Sequence, residues 1–244
     1  MKLILQILHT IFFYLVIVLT FIVGTFITMI FALFTKKKYR TFQFAARIWS
    51  RMLVLLSGAR VKVSGLDNIP RSGPLIFASN HQGVADILLL LAYLPRYFRF
   101  IIKKELFRIP FFGGYLRLAG YIPIDREVAL SSYKTISSAA KDLDEEDCIL
   151  IFPEGTRSKT GKVGPFKRGS MIMAVRSGAN VVPIGISGSF NMMRKGSFLI
   201  NLVPITLNIG KPISFEKYKG KEPAKSDHEN ELERLRDAIV GLAG

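Results

Sequence analysis

The stretch LIFASNHQGVADILLLLAYL, residues 75–94, decides the fold. Leu75 to Ser79 form an apolar run of the length of a buried strand, and from about residue 84 the apolar positions recur at helical spacing as far as Leu94. Asn80 to Gly83 form the polar turn between them. A strand that feeds straight into a helix is the repeating unit of an α/β layer. Outward from it the same texture continues. β-Branched or aromatic runs at 60–64, 97–102, 121–124, 147–152, 181–186 and 198–209 predict strands, and segments near 105–118, 127–143, 167–177 and 227–241 predict helices. The runs between 181 and 209 follow one another without a helix, so part of the sheet is expected to be antiparallel. The reading is an α/β domain over residues 58–244, a mixed β-sheet with flanking helices. Residues 216–230 read as a polar connector before a last, charged helix.

Residues 1–57 have another texture. No charged residue occurs from Leu3 to Thr35, beyond the run of about 18 apolar residues that marks a membrane helix. A signal peptide has a shorter core and a small-residue cleavage site, and neither is present. As one helix the segment would be about 48 Å long, against ~30 Å of hydrocarbon, so it is expected to tilt strongly or to break near Gly24. Residues 39–57 predict a second, amphipathic helix. At 100° per residue Arg40, Arg47 and Arg51 fall within about 40° of one another, with Phe42, Trp49, Leu53 and Leu56 on the other side. That pattern is the form of an interfacial helix with its cations toward phosphate headgroups; a helix packed on the domain with solvated arginines is the alternative. Residues 1–57 are thus read as N-terminal membrane-anchoring helices, and Lys36, Lys37, Lys38 and Arg40 put their end on the cytoplasmic side of the cell membrane. Whether the element spans the bilayer or embeds in one leaflet stays open.

The chain of 244 residues carries 34 Lys and Arg against 18 Asp and Glu, a net charge of +16, while half of its residues are hydrophobic. That pairing excludes disorder. One Cys and three scattered His exclude a disulfide framework and a structural zinc site, and no metal is expected. Cys148 follows an acid run (Asp142, Asp144, Glu145, Glu146, Asp147) that would raise a thiol pKa, which makes it a poor nucleophile. The nine cations among residues 1–66, with no acid before Asp67, surround the most apolar stretch, an arrangement unlike a nucleic-acid-binding arm. There is no nucleophile elbow, dinucleotide loop or P-loop.

Two clusters remain that can carry chemistry. His81 follows the strand 75–79 at its C-terminal end, where ligands of α/β sheets collect, and Asp86 comes five residues later. Residues five apart on one helix diverge by about 140°, but a turn at Gly83 puts Asp86 in a first helical turn facing back to His81. A carboxylate on one imidazole nitrogen leaves the other as a general base. Taken alone, the spacing also fits Asp86 merely capping a helix. The second cluster, Phe152-Pro153-Glu154-Gly155-Thr156-Arg157-Ser158, again follows an apolar strand. Its glycine turn exposes backbone N–H groups, and Arg157 offers a fork for phosphate. Taken alone, it also fits a solvated turn with a Glu154–Arg157 pair.

Together these blocks resemble the glycerolipid acyltransferase family, most closely its bacterial 1-acyl-sn-glycerol-3-phosphate acyltransferases. The likeness runs over about residues 60–210. Asn80 to Asp86 resemble the family's NHxxxxD block, Gly120 to Arg126 its second, Phe152 to Ser158 its third and Val181 to Ile184 its fourth, and Lys103-Lys104-Glu105-Leu106 is also similar. The resemblance implies transfer of a fatty acyl group from a thioester, of acyl carrier protein or coenzyme A, to the 2-hydroxyl of lysophosphatidic acid in the bilayer. It implies His81 and Asp86 as catalytic residues and no cofactor beyond that co-substrate. Arg157, with Lys103 and Arg126, would bind phosphate, Gly155 and Thr156 would offer oxyanion donors, and Glu154 would orient Arg157 or meet glycerol hydroxyls. Acylation of glycerol 3-phosphate or of another lysophospholipid is the nearest alternative, and a non-catalytic membrane lipid-binding protein the next.

Overall fold

A computed structural model describes residues 2–125, 129–141, 148–193, 197–219 and 225–244. Its seven strands are β1 (Val61–Ser64), β2 (Leu75–Ser79), β3 (Arg99–Lys103), β4 (Ile122–Ile124), β5 (Cys148–Ile151), β6 (Asn180–Ser187) and β7 (Ile205–Ile209), in one sheet of order β1-β7-β6-β2-β5-β3-β4. β2 lies in the middle, parallel to β5 and β6, and β6 and β7 are antiparallel as expected. The alternation along β2 serves two cores. Leu75 and Phe77 face a cluster with Phe42, Leu53 and Leu89, while Ile76 and Ala78 face one with Met173, Leu235 and Ile239. Both sides of the central strand are therefore dry, which is why its run is apolar without interruption.

The helices are α1 (Lys2–Leu33), α2 (Lys38–Leu56), α3 (Ala85–Tyr93), α4 (Phe112–Leu118), α5 (Ala129–Lys141), α6 (Ile172–Ser177), the short α7 (Ser189–Met192) and α8 (Lys225–Ala243). Three predicted boundaries need correction. The helix expected over 105–118 is interrupted at Pro110, which cannot continue a helical ladder, and only Phe112–Leu118 is α-helical. The helix expected over 167–177 starts as a 3-10 turn, Arg168–Met171. The strand expected over 198–209 is confined to Ile205–Ile209, because the chain before Pro204 runs along α1 instead of the sheet. The acids from Asp142 to Asp147 lie outside the described residues.

α1 is continuous through Gly24, so the expected break is absent. Thr28 donates its hydroxyl to the Gly24 carbonyl at 2.6 Å, and Trp49 of α2 donates its indole N–H to Thr20 at 2.9 Å. α1 is long and apolar enough to cross a membrane, and most of its surface is exposed. One face nonetheless packs on the rest of the chain. Gln6 donates to the Ile200 carbonyl, the Ile200 N–H donates to Thr10, and Phe13 belongs to the first core. α2 is held by the domain too: Phe42 and Leu53 are buried, each worth roughly 2–3 kcal/mol. Arg51 donates to the Ala92 carbonyl, one of the orphan acceptors at the end of α3, and the Arg47 guanidinium lies 4.4 Å from the centre of the Tyr97 ring. These two arginines thus address the domain rather than standing free, while Phe44, Ile48 and Leu55 continue the exposed apolar surface of α1.

Candidate active site

Because β2 and β5 are neighbouring parallel strands with Ala78 opposite Ile151, the turns that follow them leave the sheet side by side. The first turn carries His81 and the second carries Glu154 to Ser158. Beyond the first, α3 begins at Ala85 and puts Asp86 in its opening turn, pointing back. The His81 Nδ1–H donates to Asp86 Oδ2 at 2.8 Å, and the same oxygen accepts the backbone N–H groups of Gln82 at 2.7 Å and Gly83 at 2.9 Å. Asp86 is wholly buried, so these donors are what hold its charge. Asp86 therefore fixes both the turn that leads into α3 and the imidazole. His81 Nε2 makes no hydrogen bond among the described residues, and the ring keeps 13% of its surface.

The second turn is folded against the first. The Phe152 ring stacks on His81, the Ser158 N–H donates to the His81 carbonyl at 2.7 Å, and Gln82 Nε2 donates to the Gly161 carbonyl at 2.7 Å. Glu154 is buried, with Oε1 accepting the His81 N–H and Oε2 the Gly164 N–H, each at 2.9 Å. Among the described residues Glu154 thus meets two backbone N–H groups and not Arg157, the first of its two expected contacts. Gly155, at φ 69°, makes the turn, and its N–H donates to the Phe152 carbonyl at 2.9 Å. That donor is unavailable to an oxyanion, whereas the N–H of the exposed Thr156 meets no acceptor among the described residues.

Arg157 is half-buried and lines a cavity of about 430 Å³ with Phe13, Tyr14, Leu53, Val84 and Leu88. It is the one charged residue in that lining among the described residues. Sequence reasoning missed this cavity, because its walls come from α1, α2 and α3 together. Lys103 ends β3 at the same edge of the sheet, but β3 stands two strands from β2, roughly 10 Å away. Lys103 reaches Glu105 at 3.7 Å, and its neighbour Lys104 pairs with Asp125. Arg126 lies outside the described residues. Asn80, quoted only as part of a block, is a fastener: its amide donates to the Ile186 carbonyl at 2.8 Å and accepts the Ile186 N–H at 2.7 Å, tying the end of β2 to β6. Among the described residues no group of three His, Cys, Asp or Glu could hold a metal.

The family model described as acyltransferase matches residues 60–187. A chloroplastic 1-acyl-sn-glycerol-3-phosphate acyltransferase of Arabidopsis thaliana is 33% identical over 187 residues, 76% of this chain and 52% of that protein. A protein of the same name from Borreliella burgdorferi is 29% identical over 185 residues, 76% of this chain and 72% of its own. The chain spans about half the length of the first curated relatives it matches. The crystal structure of a 1-acyl-sn-glycerophosphate acyltransferase from Thermotoga maritima superposes with a TM-score of 0.83 over 99% of this chain and 95% of that one, at 24% identity, so the two share a fold.

Proposed function

The chain belongs to the acyltransferase family, and from that premise we propose that it transfers a fatty acyl group from a thioester to the 2-hydroxyl of lysophosphatidic acid, giving phosphatidic acid. The observation that carries this reading is the imidazole of His81, leashed at Nδ1 by a buried carboxylate and open at Nε2, on a turn that leads into Val84 and Ala85, which with Arg157 line an apolar cavity. A base, an apolar hole and a phosphate fork are the three things a lysophospholipid with a reactive hydroxyl requires.

In the proposed reaction His81 Nε2 takes the proton of the acceptor hydroxyl as its oxygen attacks the thioester carbonyl carbon. Asp86 stabilises the imidazolium that results. The tetrahedral oxyanion is met by the Thr156 N–H. When it collapses the C–S bond breaks, the new ester bond stays, and the imidazolium returns its proton to the leaving thiolate. Acyl carrier protein and coenzyme A thioesters both meet these demands, and the cations Arg157, Lys159 and Lys162, on the turn beside His81, suit either anionic carrier. No cofactor takes part. Lys103 and Arg126 are assigned an auxiliary part in attracting phosphate.

The same reading puts the chain on the cytoplasmic face of the cell membrane, with α1 lying in one leaflet. Its first turns are bonded to residues 200 and 201 of the domain, and Thr35 just past its end bonds Thr41 of α2, so both ends stay with the domain. An acceptor that never leaves the bilayer avoids about 0.8 kcal/mol per methylene exposed to water. The test compares lysophosphatidic acid, glycerol 3-phosphate and lysophosphatidylcholine as acceptors for one acyl thioester, with purified protein in detergent. Preference for lysophosphatidic acid is expected; equal or better use of either other acceptor refutes the assignment.

A further inference from the structure

We infer that Glu154 is a positioning residue for His81; the inference rests on the reading of His81 as the base. The ladder of β2 and β5 ends with Ala78 opposite Ile151, and its register carried on by three residues would set His81 opposite Glu154. By that point the ladder has ended, since Pro153 has no N–H to offer and Gly155 turns the chain away. The His81 backbone keeps two partners all the same. Its N–H donates to Glu154 Oε1 and its carbonyl accepts the Ser158 N–H, so a side chain and a turn replace the rungs that the strand no longer supplies.

The other oxygen of Glu154 holds the Gly164 N–H. Gly164 closes the turn whose Gly161 carbonyl accepts the Gln82 amide, so one carboxylate links both loops around His81. Glu154 is 6% exposed, and each of its oxygens already holds a backbone donor. An apolar residue of that size would fill the space, yet it would orphan two backbone N–H groups. The imidazole is therefore fixed at Nδ1 by Asp86 and on one face by Phe152, and its backbone is fixed by Glu154 and Ser158. Reacting atoms misplaced by about 1 Å can cost on the order of 10²-fold in rate, which is the scale on which such fixing matters.

Steady-state kinetics of the full chain in mixed micelles test the inference. Glu154→Gln keeps shape and one acceptor but turns an NH2 group toward the other N–H. It should lower kcat by about 10- to 100-fold while leaving the acceptor KM close to wild type, with the melting temperature lowered by the one backbone N–H it leaves unpaired. Gly164→Ala perturbs the same carboxylate from outside, since its Cβ would come 3.0 Å from Glu154 Oε2, and should give the same kcat-selective loss in smaller measure. A rise in acceptor KM at preserved kcat would make Glu154 a substrate contact and overturn the inference, as would wild-type kinetics of Glu154→Gln. If Glu154→Gln does not fold, Gly164→Ala decides alone: unchanged kcat overturns. His81→Ala, run beside them, separates the two readings, because activity in that variant removes the base itself, whatever Glu154 does.

Discussion

The phenyl ring of Phe152 lies flat against the imidazole of His81, with ring centres 3.9 Å apart and planes 14° from parallel. Together with the Nδ1–H to Asp86, this leaves one edge of His81 for chemistry. His81→Ala should stay folded and lose about 10²–10⁴-fold in turnover. Asp86→Asn should lose much of the same, because the imidazolium loses its anion. Retention of more than about a tenth of the wild-type rate by His81→Ala, in a single-turnover assay, rules out the mechanism.

Arg157 faces an otherwise uncharged cavity, so its loss should be felt by the phosphate and not by the acyl chain. Arg157→Ala should chiefly raise the KM for a phosphorylated acceptor, and Arg157→Lys should rescue only in part, since an ammonium lacks the bidentate fork. Measured against a phosphate-free lysolipid, an equal loss would assign Arg157 another role. Lys103 and Arg126 should respond in the same direction but more weakly.

Gly83, in the His81 turn, packs against the start of α7. A Cβ there would stand 2.9 Å from the Ser189 carbonyl oxygen, and the Gly83 N–H already serves Asp86. Gly83→Ala should therefore cost about 1–3 kcal/mol of stability and displace Asp86. Thermal unfolding in detergent and the rate together check this; wild-type values for both contradict the crowding.

How much of this was legible in the sequence depended on chain distance. His81 and Asp86 are five residues apart, and turn chemistry at Gly83 was enough to bring them together. Glu154 and His81 are 73 apart, and their meeting depends on the register between β2 and β5, which no local pattern encodes. For the same reason no local pattern shows that Glu154 meets the His81 backbone, or that Arg157 lines a cavity. Gly24 misled in another way. Its intrinsic cost in a helix is about 1 kcal/mol, and the contacts of α2 along α1 override it. Arg47 and Arg51 showed their common face correctly, but periodicity does not say whether that face meets lipid or protein.

The placement of α1 is open to a labelling test. In Lys2→Cys, with the buried Cys148 changed to Ser, a membrane-impermeant thiol reagent should label only after lysis, because Gln6 and Thr10 hold that end to the domain. Labelling of intact cells would establish a span. Because Phe13 belongs to the core and, with Tyr14, to the lining of the Arg157 cavity, deleting residues 1–34 should reduce activity on a dispersed short-chain acceptor too, and on a bilayer-resident one further; unchanged activity on both would contradict this packing.

Phe13 shares one core with Leu75 and Phe77, while Leu15, Leu19 and Phe26 on the other side of the same helix are bare. On the proposed membrane reading, α1 is a wall of the building and not a rope tied to it. Lipid would then be the outermost layer of the architecture, and reaching the bilayer and completing the fold would be one event. Newly made copies that arrive late would find that layer in each other, so the yield of monodisperse protein should follow the supply of membrane or detergent during synthesis.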